Sequence, residues 1–489
     1  MRVIILFLLL PLLQLSQTFS IVKGDVLETR KKLYFTKIME ADETGFYYFR
    51  DATKERADAL LKYDLNGKLI YEKIVKYDGK MYSDYSYIDI YNKNGRILLL
   101  LKIKDQGKVS LIMREFDNKT GNELGEPKLI DQMENKNQYD YLRKFRISFS
   151  PDNKKMLIVS EEKRNEKEQN VAGKLYEVNG YKKLWEKQAI STFSNSTVSS
   201  SNYLVDNEGN FYYLFEYLLT DHQSDNAFGL GTISNASQKT NVTMIPQTNR
   251  KLIDPELEWS GTAAVFTAKY REKDANGSKD GILGFAAGSV DPLTLGMKNV
   301  SFEPFSDEFK TKLGKDYSDK IYRHLRTLFI NGNYYAIKEY NYTTYFKNGS
   351  INHGNDIMIY KYGPTFKCEW TKIIPRRTDD RCANLNYYSG TDKLYLLYYD
   401  HPESLQKYPD VNNYEAESFK KVKDPSDGLL SCTVIESNGK MSRSQIPCEN
   451  DHYLSVDVDE VILKNQKALI IPVEVEKGKQ RFDILSIKE

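Results

Sequence analysis

The chain reads as an all-β protein, a β-propeller of eight four-stranded blades, with seven as the alternative parse. Three observations predict this. Short turns rich in Gly, Asn and Asp recur near Gly45, Gly95, Asn153, Gly209, Gly261, Gly332, Gly390 and Asn465, about 60 residues apart. Most are followed by a continuous apolar run, as in Ile97-Leu98-Leu99-Leu100-Leu101, Met156-Leu157-Ile158-Val159 and Leu394-Tyr395-Leu396-Leu397-Tyr398. Such runs belong to strands buried on both faces. A parallel α/β sheet would also bury both faces, but its crossover helices are missing, because the connections here are mostly short turns.

In chain order the units span 30–77, 82–133, 142–192, 196–248, 250–305, 321–378, 380–448 and 450–489. Within each, the second strand is the most apolar, which suits a blade sandwiched between two neighbours. Outer strands alternate, as in Arg481-Phe482-Asp483-Ile484-Leu485-Ser486-Ile487. Asn66-Gly67, Asn94-Gly95, Asn331-Gly332 and Asn438-Gly439 supply the positive φ that tight hairpins need. The last unit has only three strands, so residues 21–28 are expected to add its fourth and close the ring, removing an exposed sheet edge. The seven-blade parse arises if the fourth or fifth unit is misread.

Two intervals are expanded. Residues 306–320 place Phe309, Leu313 and Tyr317 at helical spacing, which predicts a helical insertion before the sixth blade. Residues 400–428 form a long loop containing Pro402, Pro409 and Pro425. Propeller topology puts second-to-third-strand loops and blade connections on one face. That face therefore gathers the long segments 160–171, 218–228, 271–280, 340–356 and 400–428, and loops on a rigid scaffold are where binding resides.

The first 20 residues read as a secretory signal: Arg2, an apolar stretch from Val3 to Leu13, and cleavage sites around Ser16 and Ser20. The apolar stretch is too short to span a bilayer. The mature chain, 21–489, is expected to be one propeller domain, exported to the periplasm or beyond, without a transmembrane anchor. Lys and Arg number 70 against 68 for Asp and Glu, a balance that argues against a nucleic-acid partner.

Export makes disulfides the expected state of Cys368, Cys382, Cys432 and Cys448. Three connectivities remain open, of which Cys368–Cys382 and Cys432–Cys448 close the shortest loops. Zinc is disfavoured by the lack of C-x-x-C or paired histidines. Asn-x-Ser/Thr sequons at Asn118, Asn195, Asn235, Asn241, Asn276, Asn299, Asn341 and Asn348 read as ordinary polar loop residues. Tyrosine, at 36 residues, is read mainly as inter-sheet packing rather than a carbohydrate platform.

The segment Ile147-Ser148-Phe149-Ser150-Pro151-Asp152-Asn153 followed by Lys154-Lys155-Met156-Leu157-Ile158-Val159 resembles a TolB-like propeller repeat, an F-S-P-D-G turn leading into an apolar strand. Asn153 stands where that motif has glycine, and Asn tolerates positive φ. The signal, the turn Val205-Asp206-Asn207-Glu208-Gly209-Asn210, and Asp356-Ile357-Met358-Ile359 with Trp370-Thr371-Lys372-Ile373-Ile374-Pro375 are similar to exported propeller proteins of Bacteroidetes bacteria. The resemblance implies an exported propeller and transfers no catalytic residue.

No catalytic motif emerges. The five histidines, His222, His324, His353, His401 and His452, form no H-E-x-x-H, and there is no Gly-x-Ser-x-Gly elbow. The three tryptophans, Trp185, Trp259 and Trp370, follow no Asp-box. Asp274-Ala275-Asn276-Gly277-Ser278-Lys279-Asp280-Gly281 begins like a calcium loop but carries Lys279 where Gly is required, and reads as a polar hairpin. No cofactor or metal is expected. The leading functional expectation is a non-catalytic binding or scaffold module for a protein or cell-envelope component, with a protein or envelope glycan as the partner on the long-loop face. The alternatives are a carbohydrate-active enzyme with carboxylates at the axis and, less favoured, a purely structural role. Ligand contacts on the long-loop face are expected from Arg376, Arg377, Arg381, Asp400, His401, Tyr340, Tyr342 and Tyr408.

Overall fold

The computed structural model describes residues 19–28, 37–50, 58–75, 85–105, 107–134, 143–163, 169–188, 196–218, 226–247, 249–261, 263–272, 281–313, 322–346, 349–379, 385–408, 419–423, 427–446, 452–453, 468–476 and 479–487. Its strands form eight antiparallel sheets, the blades of one propeller. Blades 1 to 7 span 37–75, 85–134, 143–188, 196–244, 250–304, 322–374 and 385–445, each a four-stranded meander. First strands touch between blades 1 and 2 and along the run from blade 3 to blade 7, which places them innermost.

Blade 8 closes the ring. His452–Tyr453, Ala468–Glu476 and Lys479–Ile487 are its first three strands, and Phe19–Lys23 pairs antiparallel with the third, from Phe19↔Ile487 to Lys23↔Asp483. The N-terminal segment then crosses to blade 1, where Asp25 N donates to Gly67 O at 3.0 Å. The closing strand thus begins at Phe19, two residues inside the expected signal.

The recurring turns join first to second strands in blades 1 to 7; Asn465 lies outside the described residues. Asn153 (φ 57°) closes the Ser150–Lys155 hairpin in the left-handed conformation expected of a glycine substitute. Its neighbours lock the turn: Ser150 Oγ donates to Asp152 Oδ1 at 2.7 Å, and Ser150 N donates to Lys155 O at 3.0 Å. Asn94-Gly95 and Asn331-Gly332 are positive at both residues, which is the geometry of two-residue hairpins.

The apolar second strands divide their side chains between neighbours, as strand periodicity requires. Ile97, Leu99 and Leu101 of blade 2 pack with Tyr47, Phe49 and Leu60 of blade 1, while Leu98 and Leu100 pack with Met156 and Ile158 of blade 3. Each fully buried aliphatic side chain contributes about 1.5–3 kcal/mol. Tyrosine is a core residue here: Tyr47, Tyr63, Tyr213, Tyr360 and Tyr395 are among the largest fully buried side chains. In blade 4, Gly231 makes room for the Tyr213 ring; a Cβ there would lie 2.2 Å from it.

The insertion before blade 6 contains a helix, Asp307–Leu313. Ser306 Oγ accepts from Phe309 N at 3.1 Å, and the Phe309 ring stacks on Phe305 at 4.9 Å. The disulfide expectation is not met among the described residues. Cys368 and Cys432 are free thiols, and Cys432 is fully buried in the core shared by blades 7 and 8. Cys382 and Cys448 lie outside the described residues, as do the Asp274–Asp280 part of the calcium-like loop and residues 1–18.

Candidate functional site on the long-loop rim

First strands start, and second strands end, on the rim that carries the blade connections. Among the described residues its longest hairpin is that of blade 6, Asn333–Phe346 with Gly349–Tyr362. Among the described residues, those up to Tyr340 pair with the first strand, and 341–346 pair with the returning strand alone. At the usual strand rise this carries the hairpin about 20 Å past its last described pairing with the first strand. Near its tip Tyr345 is 81% exposed and Phe346 57%.

The hairpin base is fastened to the connection between blades 6 and 7. Thr378–Asp379 pairs with His353 and Gly354, and Thr378 bridges to Val422 of the long loop. His353 Nδ1 meets Asp379, its Nε2 contacts Thr344 Oγ1 at 2.9 Å, and Lys421 Nζ pairs with Asp379 at 2.6 Å. Arg377 Nη1 lies 2.5 Å from Asp356 Oδ1. Arg376, buried, pairs with Glu339.

The long loop is pinned by Arg443 of blade 7. Its Nη1 lies 2.7 Å from Asp400 Oδ2, and its Nη2 donates to the carbonyls of Ser404 and Tyr408, each at 2.8 Å. Between them runs the helix Pro402–Lys407, N-capped by His401, whose Nδ1 accepts from Glu403 N at 3.2 Å. Tyr408 stacks on Phe419 at 5.0 Å. Burial pushes the Asp400 carboxyl up to about 6, outweighing the nearby Arg443 and Arg376 charges.

The structure thus gathers five of the residues expected to contact a ligand, Arg376, Arg377, Asp400, His401 and Tyr408, along one rim segment. There each makes an internal contact that holds loops in place. Tyr340 is half-buried with its ring 6.2 Å from Tyr322. Tyr342 pairs through its backbone with His353. Arg381 lies outside the described residues.

A second feature of this rim carried no sequence motif. A cavity of about 300 Å³ opens between the inner strands of blades 5 and 6, lined by Asp254, Glu256, Lys269, Arg323, His324 and Lys338, among others. The first strand of blade 5 has a register shift between Ile253 and Glu256, with Asp254 at φ 46°, and Asp254 pairs with Lys269. Within the lining, His324 Nε2 lies 2.6 Å from Glu258 Oε1, and Lys338 Nζ lies 3.2 Å from His324 Nδ1. An ammonium only donates, so Nδ1 accepts and Nε2–H donates to Glu258. Burial, then the Lys338 charge, holds the His324 pKa below its ordinary value despite Glu258. Burial pushes Lys338 down to about 7, with Glu256 and Glu258 opposing. The available signal was Lys338-Glu339 interrupting an apolar second strand, together with acids alternating in Asp254-Pro255-Glu256-Leu257-Glu258. Among the described residues no group of three acidic, His or Cys side chains could hold a metal.

No family model and no curated protein matches the chain, so the likeness to TolB-like repeats goes no further than its motif residues. Among solved structures, the chain is similar to apo prolyl oligopeptidase B from Galerina marginata, at 8% identity and TM-score 0.42 over 91% of this chain and 56% of that one. It therefore spans little more than half of that protein. An oligogalacturonate lyase in complex with manganese matches at 10% identity and TM-score 0.37, with 97% of each chain covered. The WD40 domain of SCAP from fission yeast matches at 10% identity and TM-score 0.40, covering 96% of this chain and 98% of that one. These likenesses concern the propeller fold alone, and span enzymes and a WD40 domain.

Proposed function

We propose that this chain is an exported, non-catalytic binding module that docks a protein of the cell envelope through its long-loop rim. The observation carrying this reading is the blade 6 hairpin, which holds Tyr345 and Phe346 out in solvent on a braced, two-stranded arm. Exposed aromatic side chains on a rigid element are the usual anchors of protein interfaces. The bracing by Thr378–Asp379 and the long loop lowers the ordering cost of docking. Export rests on the N-terminal signal pattern, and cleavage near Ser16 rather than Ser20 would leave the closing strand whole. The carbohydrate-active reading is less well supported, because Asp254 is committed to Lys269 and Glu258 to His324.

The test is crosslinking and affinity capture from native envelopes, comparing the mature protein with a Tyr345→Ser/Phe346→Ser variant. The variant should fold and melt like the parent and lose its partner. Identical capture by both forms, or capture of nothing by either, would sink the proposal.

A further inference from the structure

The cleft between blades 5 and 6 has walls of opposite character. Blade 5 contributes Glu256, whose carboxylate has no hydrogen bond or ion pair among the described residues, and Asp254, already neutralised by Lys269. Blade 6 contributes Lys338, 2% exposed, which donates one of its three N–H groups to His324 and lies 4.4 Å from the Phe285 ring centroid. Glu256 is the strongest charge acting on Lys338, yet no ion pair joins them. An acidic acceptor and a basic donor therefore line the same cavity of about 300 Å³, the small end of the range for ligand pockets. Asn341 and Thr267 add uncharged polar groups, and exposed Arg323 flanks the mouth.

We propose that this cleft binds a small zwitterion, a free α-amino acid, with its carboxylate on Lys338 and its ammonium on Glu256. A simple anion would satisfy Lys338 but meet repulsion from Glu256, and a simple cation would do the reverse. A neutral sugar would bring no charge to either group, and so would gain nothing from the pairing of an acidic and a basic side chain. Tyr322, Ala268 and the Lys269 stem line the cavity, leaving room for an aliphatic side chain. A bound carboxylate favours the charged form of Lys338, so binding above neutrality draws in a proton.

The experiment is calorimetric titration of the full mature chain with leucine, isocaproate (the carboxylate alone), isoamylamine (the ammonium alone) and glucose. Leucine should bind at least about tenfold more tightly than the other three. Near pH 8, titrations in phosphate and in Tris should reveal proton uptake, which disappears near pH 5.5. Glu256→Gln should erase the preference for leucine over isocaproate, and Lys338→Met should abolish binding of both. If Lys338→Met fails to fold, Glu256→Gln and the buffer dependence still decide. No leucine binding, or equal binding of isocaproate or glucose, overturns the assignment. The Tyr345→Ser/Phe346→Ser variant should bind leucine normally, which separates this site from the docking hairpin.

Discussion

Replacing Arg376 by leucine asks whether this residue faces a ligand or holds the rim together. The Arg376 side chain is 0% exposed and that of its partner Glu339 6%. Removing the guanidinium strands a carboxylate in a site sealed from water. Truncating one member of a buried pair costs about 3–5 kcal/mol, because the remaining charge has no counter-charge. Arg376→Leu should destabilise by that amount and Glu339→Leu by less, because Asp400 still acts on the remaining guanidinium. The double variant replaces both charges with apolar volume and should return to within about 1 kcal/mol of the parent, or exceed it. The coupling between the two sites is then several kcal/mol, far above that of independent positions. Equilibrium urea unfolding reads all four proteins, with Trp370 in the fourth strand of blade 6 as a local reporter. Lys420→Ala, which breaks an exposed pair with Glu403 on the same rim, serves as control and should leave the midpoint in place. A single-variant cost under about 1 kcal/mol, or a double variant as costly as the sum of the singles, would refute the buried-pair account.

Three further outcomes are expected. The Asp400 carboxyl holds its proton up to about 6 when folded but to its ordinary 3.8 when unfolded, so its contribution is full below about 4 and lost as pH rises through about 6. Asp400→Asn should remove that term, worth about 3 kcal/mol, from the pH dependence of unfolding; parallel wild-type and variant curves between those limits would contradict it. Gly231→Ala drives a methyl into the Tyr213 ring and should cost about 1–3 kcal/mol, relieved by Tyr213→Val in the double variant. Unfolded without reductant, the chain should show at least two titratable thiols, Cys368 and Cys432. In the native protein Cys432 should resist thiol reagents, since burial pushes its pKa well above the ordinary thiol range; a count of zero thiols would restore the two bridges.

The candidate site was legible in its position and not in its contacts. Interval lengths pointed to the 340–356 and 400–428 segments, and both lie on the rim that carries the hairpin and the pinned loop. Arg376 and Asp400 stood out as charges in connections, where solvent exposure is the ordinary state, yet each is buried against a partner from another strand. Neither Glu258 nor Lys338 belongs to any motif, and their link through His324 spans 66 residues on one side and 14 on the other.

Turn chemistry and apolar runs are local properties. Asn153, Asn94-Gly95 and the run Ile97–Leu101 carry their conformational preferences within a few residues, so the sequence alone determined the blades, their order and an N-terminal closure, while the choice of eight blades over seven and the start of the closing strand at Phe19 came from the structure. Tertiary structure decided which charges meet. The pairs Arg376–Glu339, Asp400–Arg443 and Glu258–His324 join residues far apart in the chain, the last of them from adjacent blades, brought together by register and by the angle between neighbouring sheets. Electrostatic energy depends on distance and burial in space, and a linear pattern of charges specifies neither.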